Sequence, residues 1–332
     1  MSSSNAASNA ALPRGYQLLN YTIIKKLSAG GFSIVYLAHD ENDKQVAIKE
    51  YLPSMLVLRK EGDVIQATSE ENMVTFRYGL KCFFEEGRTL AKISHPNIIR
   101  VLNFFRANET VYMVMEYERG RTLQKEAQMQ KKEGVDEALI RYVFFHVLQG
   151  LREVHLNKLL HLDIKPANIY VRKDSSPVLL DFGAARQTIM LDKPMFSAMY
   201  TPGFAAPEQY NKQRENLGPW TDLYGIGGTL FACMSGLAPQ AADARLKNDK
   251  FSNARKLIAG KYSAELIEIC EWCLQLDLND RPQSVSALQK RLADLMRNDP
   301  IQPRPIITET VTGVSWLQSI GAKIQKFTRY ES

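Results

Sequence analysis

With 332 residues, 45% of them hydrophobic and 23% charged, the chain has an ordinary globular composition and the length for one large domain or two lobes with separate cores. A formal net charge of +6 favours anionic ligands, but nucleotide phosphate, nucleic acid and anionic lipid all qualify, so charge alone excludes little. Four cysteines, Cys82, Cys233, Cys270 and Cys273, fit a reducing cytoplasm best.

Met1 to Ala11 is rich in Ser, Asn and Ala, with no basic start and no apolar run. Residues 1–15 therefore read as a disordered tail rather than a signal peptide or anchor. From Tyr16 to Ala38 apolar and polar residues alternate around Ser28-Ala29-Gly30-Gly31, the pattern of two strands and a turn. Small residues at such a turn serve either a plain hairpin or the close approach of an anion to backbone N–H groups. Val46-Ala47-Ile48-Lys49 reads as a strand with Ala47 and Lys49 on one side. A lysine in that position is either a solvated rim residue or a phosphate ligand. Phe83, Phe84, Gly87, Leu90 and Ala91 recur at helical spacing around Glu85 and Glu86.

Val111 to Met115 is a continuous apolar strand that ends in Glu116-Tyr117, with Gly120 soon after. Asp136 to Leu159 reads as an amphipathic helix with Asp136 as its cap; Ile140, Val143, Phe144, Val147, Leu148 and Leu151 form one face. His146 and His155 on this helix read as packing or hydrogen-bonded residues. Next come His161-Leu162-Asp163-Ile164-Lys165-Pro166-Ala167-Asn168 and Asp181-Phe182-Gly183. Two carboxylates, a lysine and an asparagine at these spacings are the set that phosphoryl transfer requires: an acid at the acceptor hydroxyl, a carboxylate and an amide for metal, and a cation for developing charge. Asp222 opens an uncharged helix over 223–237, where by itself it reads as an N-cap. That segment is too short and too broken by glycines to span a membrane. Cys270 and Cys273 form a lone Cys-x-x-Cys in an apolar helix; no further ligands are nearby, so they read as core rather than zinc.

These motifs resemble the catalytic core of a bacterial Hanks-type serine/threonine protein kinase over about Tyr16 to Asn298. The resemblance implies an α+β, bilobal protein-kinase-like fold, with a small β-rich N-lobe (16–117) and a larger helical C-lobe (118–298). It implies ATP and Mg2+ as cofactors and protein Ser/Thr hydroxyls as acceptors. By the same resemblance Leu27, Ser28 and Gly30 belong to the loop over the ATP phosphates. Lys49 holds the phosphates and is aimed by Glu86, with Glu85 as the fallback. Met115 is the gatekeeper, the backbone at Glu116 and Glu118 meets the adenine edge, and Tyr170 lies beneath it opposite Val35 and Ala47. Asp163 orients or deprotonates the acceptor hydroxyl, Lys165 neutralises the transferred phosphate, and Asn168 and Asp181 hold the metal. Thr201 bonds Asp163 and Lys165. Glu208 pairs with Arg281, and Asp222 braces the catalytic loop. Leu90, Val101, His161 and Phe182 join the lobes.

Three departures are visible. Ser28 and Ser33 stand where the family has glycines, and Leu162 stands where it has an arginine that reads an activation-loop phosphate. An insertion over residues 50–80 resembles one in a bacterial subgroup whose lysine is followed by Glu-Tyr-Leu-Pro. Together the serines and Leu162 support an alternative reading, a pseudokinase serving as a nucleotide-binding scaffold; retention of Lys49, Asp163, Asn168 and Asp181 argues for activity. Residues 299–332 read as a Pro-rich linker and an amphipathic helix carrying Trp316, Leu317, Ile320, Ile324 and Phe327. Self-association or docking of that helix on the kinase is favoured over a membrane surface, and no nucleic acid is expected.

Overall fold

The computed structural model describes residues 10–59, 64–130, 134–182, 201–210 and 214–299. The segment from Gly183 to Tyr200, and all but Asp299 of the expected linker and amphipathic helix, lie outside the described residues.

A six-stranded antiparallel sheet dominates the first third of the chain. Its strands are β1 (Gln17–Leu18), β2 (Tyr21–Ala29), β3 (Ser33–His39), β4 (Gln45–Tyr51), β7 (Val101–Ala107) and β8 (Thr110–Glu116), in the order β1-β2-β3-β4-β8-β7. Strand β4 is central and buried along nearly its whole length, on both faces of the pleat. Lys49 and Glu50, adjacent on it, therefore point to opposite faces while both are withdrawn from water.

The insertion divides into two parts. Its first part is a small clasp with a two-stranded hairpin, β5 (Val57–Leu58) and β6 (Gln66–Ala67), with Leu52, Leu56, Val57 and Ile65 buried. Its second part is not an insertion loop, because helix α1 already starts at Glu70 and runs to Leu90. Ser69 caps it by accepting from Asn72 N at 3.1 Å, and Glu70 and Glu71 sit where the helix dipole favours negative charge. Phe76, Phe83, Glu86, Gly87 and Leu90 make its buried face. Phe76 and Phe83 pack on Tyr51 of β4, and Phe84 meets Phe104 of β7 edge-on.

Beyond β8 the chain is mainly helical. A three-stranded sheet, β9 (Gly120–Thr122), β10 (Ile169–Arg172) and β11 (Pro177–Leu179), carries the catalytic segment, and helix α2 (Leu123–Met129) follows β9 directly. Helix α3 (Glu137–Leu156) lies behind it; Asp136 occupies its N-cap position without making a side-chain cap bond. The short helix α4 (Pro207–Tyr210) precedes α5 (Pro219–Ser235). Helix α5 is the buried centre, so Asp222 is an internal residue rather than its N-cap. The helix starts four residues earlier than the sequence reading placed it because Pro219 is preset for the first helical position and Gly218 precedes it. Outside it lie α6 (Ala242–Lys247), α7 (Phe251–Arg255), α8 (Ala264–Cys273) and α9 (Val285–Asn298).

Cys270 and Cys273 of α8 are buried against α5, with Cys270 Sγ donating to Gly227 O, and burial pushes both thiols well above the ordinary range. The two halves of the molecule meet where Ile99 N donates to Leu179 O at 3.0 Å and Leu179 N to Asn97 O at 2.9 Å. Residues 10–15 differ from the tail expected there. Leu12 is buried, and its N–H donates to the Tyr36 hydroxyl at 3.1 Å. No helix among the described residues is long and apolar enough to cross a membrane.

Candidate active site

The segment from His161 to Asn168 is positioned from behind by Asp222. One Asp222 oxygen accepts from Leu162 N at 2.7 Å; the other accepts from His161 N at 2.9 Å and bonds His155 Nε2 at 2.8 Å. Burial alone would raise the Asp222 pKa, but the His155 bond, nearby histidine charge and the His161 amide outweigh it and hold the carboxyl below its ordinary value. Helix α5 can approach this closely because Gly225 faces Ile164; a Cβ there would sit 3.0 Å from the Ile164 carbonyl oxygen. Leu162 takes the left-handed backbone (φ +60°), an unusual conformation for a bulky residue, and its carbonyl accepts from Gln209 Nε2 at 3.1 Å.

His161 is fully buried and stacks on Phe182 with ring centroids 4.5 Å apart. Its Nδ1 accepts from Asp163 N at 3.3 Å while Nε2 faces Leu180 O at 2.9 Å, the arrangement of a neutral ring protonated on Nε2. Burial lowers its pKa accordingly. Leu90 and Val101 are also buried.

Four of the expected residues form one hydrogen-bonded cluster. Asn168 Nδ2 donates to both the Asp163 carboxylate and the Asp163 carbonyl at 2.8 Å. Lys165 Nζ stands 3.0 Å from Asp163 Oδ2 and 3.0 Å from Thr201 Oγ1, and Thr201 Oγ1 reaches Asp163 Oδ1 at 3.4 Å. The Asp163 carboxylate is thus fixed from three sides at the mouth of the cleft. Asp181 follows two residues after β11 in the left-handed backbone (φ +51°), and its carboxylate meets Lys49 Nζ at 3.0 Å. Lys49 also lies 5.5 Å above the Phe83 ring of α1. Of the two candidate partners on that helix, Glu86 is buried, whereas Glu85 is exposed and sits 3.7 Å from Arg88.

The remaining expected residues lie on the strands of the first sheet and its β2–β3 turn, on the connection after β8 and on β10. In the β2–β3 hairpin Ser28 pairs with Val35, Leu27 is partly exposed, and Gly30 N donates to Ser33 O across the turn at 2.9 Å. Val35 pairs with Lys49, and Ala47 with Met115. Glu116 N donates to Arg100 O at 3.0 Å. The Glu118 carboxylate is engaged by Arg172 in a two-point bond of 2.6 and 2.8 Å, which ties β10 to the connection after β8. Tyr170 sits on β10 between Thr122 and Val178.

The donor set suits a hard divalent cation. Because Asn168 spends its amide nitrogen on Asp163, with the Asp181 backbone carbonyl a further 3.5 Å contact of that nitrogen, its carbonyl oxygen is the atom left for a metal. Among the described residues no group of three His, Cys, Asp or Glu could hold a metal ion alone. One carboxylate, one amide oxygen and ligand phosphates are the mixture that Mg2+ accepts, since it keeps waters and rarely demands an all-protein cage. Below the cluster, a cavity of about 470 Å³ opens between Gln124 and Gln128 of α2 and the Lys165, Pro166, Thr201 and Phe204 side.

Sequence reading passed over a buried polar network on the far face of β4. Glu50 is completely buried and accepts from Arg59 with both oxygens, from the Tyr36 hydroxyl at 2.8 Å and from the Tyr112 hydroxyl. The signal was present, because a glutamate following Val46 to Lys49 in an apolar strand needs a partner. Further down, Glu208 and Arg281 form a buried two-point pair at 2.8 and 2.9 Å, supported by Thr221.

The pattern of the Protein kinase domain family matches residues 21–293. The chain is 28% identical over 302 residues to serine/threonine-protein kinase C of Synechocystis sp., covering 86% of this chain and 52% of the relative. With serine/threonine-protein kinase B of the same organism it shares 27% over 281 residues, covering 80% of this chain and 44% of the relative. The chain spans about half the length of these curated relatives. The solved structure of PpkA-294 in its apo form aligns with a TM-score of 0.77 and 35% identity, over 86% of this chain and 100% of that one. The Mycobacterium tuberculosis PknI kinase domain aligns at 0.65 with 22% identity, over 86% of this chain and 99% of that one, a likeness of fold. On the family match and on the PpkA-294 likeness, this chain belongs to the protein kinase domain family.

Proposed function

We propose that the protein is a Mg2+- and ATP-dependent serine/threonine protein kinase. The observation that carries this reading is the cluster of Asp163, Lys165, Asn168 and Thr201 beside the Lys49–Asp181 pair. Lys49 binds the ATP phosphates, and the buried Glu86 is the carboxylate that aims it. The β2–β3 turn, with Leu27, Ser28 and Gly30, covers those phosphates. Met115, Val35, Ala47 and Tyr170 border the adenine, whose edge meets the backbone at Glu116 and Glu118. Asp163 accepts the proton of the acceptor hydroxyl and aligns its oxygen. Lys165 neutralises charge that builds on the transferred group, and Thr201 holds both side chains in place. Asn168 and Asp181 hold Mg2+, which when bound neutralises phosphate charge.

A protein segment bearing a Ser or Thr lies in the cavity beside Lys165 and Thr201, where Gln124 and Gln128 line one side. The scaffold reading requires a site that has lost its transfer groups, and the retained cluster favours transfer. Incubation with labelled ATP, Mg2+ and a generic protein acceptor tests the proposal. Incorporation on Ser or Thr that disappears in Asp163→Asn supports it; a wild-type protein that binds ATP and never transfers phosphate sinks it.

A further inference from the structure

The clasp formed by residues 52–59 and 64–68 touches each part of the nucleotide-phosphate site from outside. Its first attachment is to the turn between β2 and β3, where Leu52 N donates to Phe32 O at 2.8 Å and Ser54 N to Gly31 O at 2.9 Å. The second is Arg59, whose two-point bond to Glu50 grips the residue next to Lys49 and whose Nη1 also donates to Ala10 O at 3.0 Å. The third is Thr68, whose hydroxyl donates to Leu56 O within the clasp and accepts from Asn72 Nδ2 of α1 at 2.7 Å, and which leads into Ser69, the cap of the helix that carries Glu86.

We propose that this clasp is a positioning device for the phosphate site, with Arg59 as the positioning residue that sets Lys49. Successive strand residues point to opposite faces, so fixing the Glu50 side chain fixes the roll of β4 and thereby the direction of Lys49. Glu50 is held by Arg59, Tyr36 and Tyr112 together, and a carboxylate this buried cannot keep its place without a cation. The turn is pre-ordered in the same way. A loop of small residues must lose freedom to close on phosphate, and a tip already bonded to the clasp has less to lose. Arg59 is remote from any reacting atom and acts through Glu50.

The inference rests on the phosphotransfer reading, so the test measures two quantities on the full chain. Arg59→Met, Arg59→Lys and the double variant Glu50→Gln/Arg59→Met are compared with Leu292→Ala, a core change on α9 that lowers melting temperature without touching the first sheet. All are assayed well below their own melting temperatures, for kcat, KM for ATP and, by calorimetry, Kd for Mg-ATP. The expected result is that Arg59→Met loses about tenfold or more in kcat/KM for ATP and weakens Kd, while Leu292→Ala stays within about twofold. Arg59→Lys and the double variant recover part of that loss, because each relieves the uncompensated carboxylate. If Arg59→Met does not fold, the Lys and double variants decide: values equal to wild type in both overturn the proposal. Equal kcat/KM and Kd in Arg59→Met and Leu292→Ala overturn it as well. If transfer is absent even in the wild type, the kinase reading fails, and the calorimetric Kd series alone decides whether Arg59 sets the phosphate site.

Discussion

The Lys49 ammonium and the Asp181 carboxylate stand 3.0 Å apart, joining β4 to the segment after β11 and closing the cleft across its two halves. On the proposed function, the residue for phosphate and the residue for metal are thereby held in reach of each other, paired by opposite charge.

Removing either member costs transfer rather than fold, because neither belongs to the apolar core. Lys49→Met and Asp181→Asn are each expected to lower the transfer rate by about 10²–10³-fold or more, with far-ultraviolet circular dichroism unchanged. Lys49→Met is expected to retain nucleotide binding through the adenine side. Transfer within about tenfold of wild type in Asp181→Asn would remove Asp181 from the metal site.

Acid sensitivity has an assignable origin. His161 is buried neutral and its pKa is lowered from 6.5, so below about pH 6.5 the unfolded chain takes up a proton that the folded chain refuses. Stability therefore falls as pH drops through that value, by up to about 1.4 kcal/mol per pH unit for this one proton. His161→Gln is expected to flatten the decline between pH 6.5 and 5, and His95, shifted the same way, leaves a remainder in both proteins. Asp222 acts lower, since a depressed carboxyl holds its contribution above the ordinary carboxylate pKa and loses it as pH falls through the folded value. Parallel urea-derived stability curves for wild type and His161→Gln would assign the acid loss elsewhere.

Glu208 and Arg281 are both buried and bonded at two points, and Arg281 further donates to Gln275 O, Leu276 O and Trp220 O. Arg281→Met leaves the carboxylate without a cation and is expected to cost about 3–5 kcal/mol in urea unfolding. The double variant Glu208→Gln/Arg281→Met is expected to cost less than Arg281→Met. A double variant as unstable as Arg281→Met would mean that the loss comes from the arginine's backbone bonds.

Leu162 carries no charge to answer a phosphate, and its carbonyl is committed to Gln209. Phosphatase treatment is therefore expected to change intrinsic activity by less than about tenfold. An enzyme silenced by phosphatase and restored by rephosphorylation would contradict this.

The strand and helix periods, and the spacing of Asp163, Lys165, Asn168 and Asp181, were legible because they are local: a period of 2 or 3.6, or a loop of fixed length, brings its residues together whatever surrounds them. The same holds for the Ser28 to Gly31 turn. The start of α1 was also written locally, in Ser69 and its two acids, although the insertion boundary drawn at residue 80 ran across it. The start of helix α5 lies four residues before the expected one because Asp222, a good capping type, faces the catalytic loop from inside the helix.

What only the tertiary structure decided is which charges meet. Arg59 could reach Glu50 only once the clasp had folded back under β4, and Leu12 could reach Tyr36 only once residues 10–15 had packed there. The choice of Asp181 for Lys49 joins residues 132 positions apart by sequence number (181 − 49). The left-handed backbone at Leu162 and Asp181 likewise has no sequence mark, since leucine ordinarily avoids it. The sequence by itself determined the elements and the reactive groups, through local geometry. The tertiary structure decided their partners, because in a dry interior a charge takes whichever opposite group packing delivers, however distant in the chain.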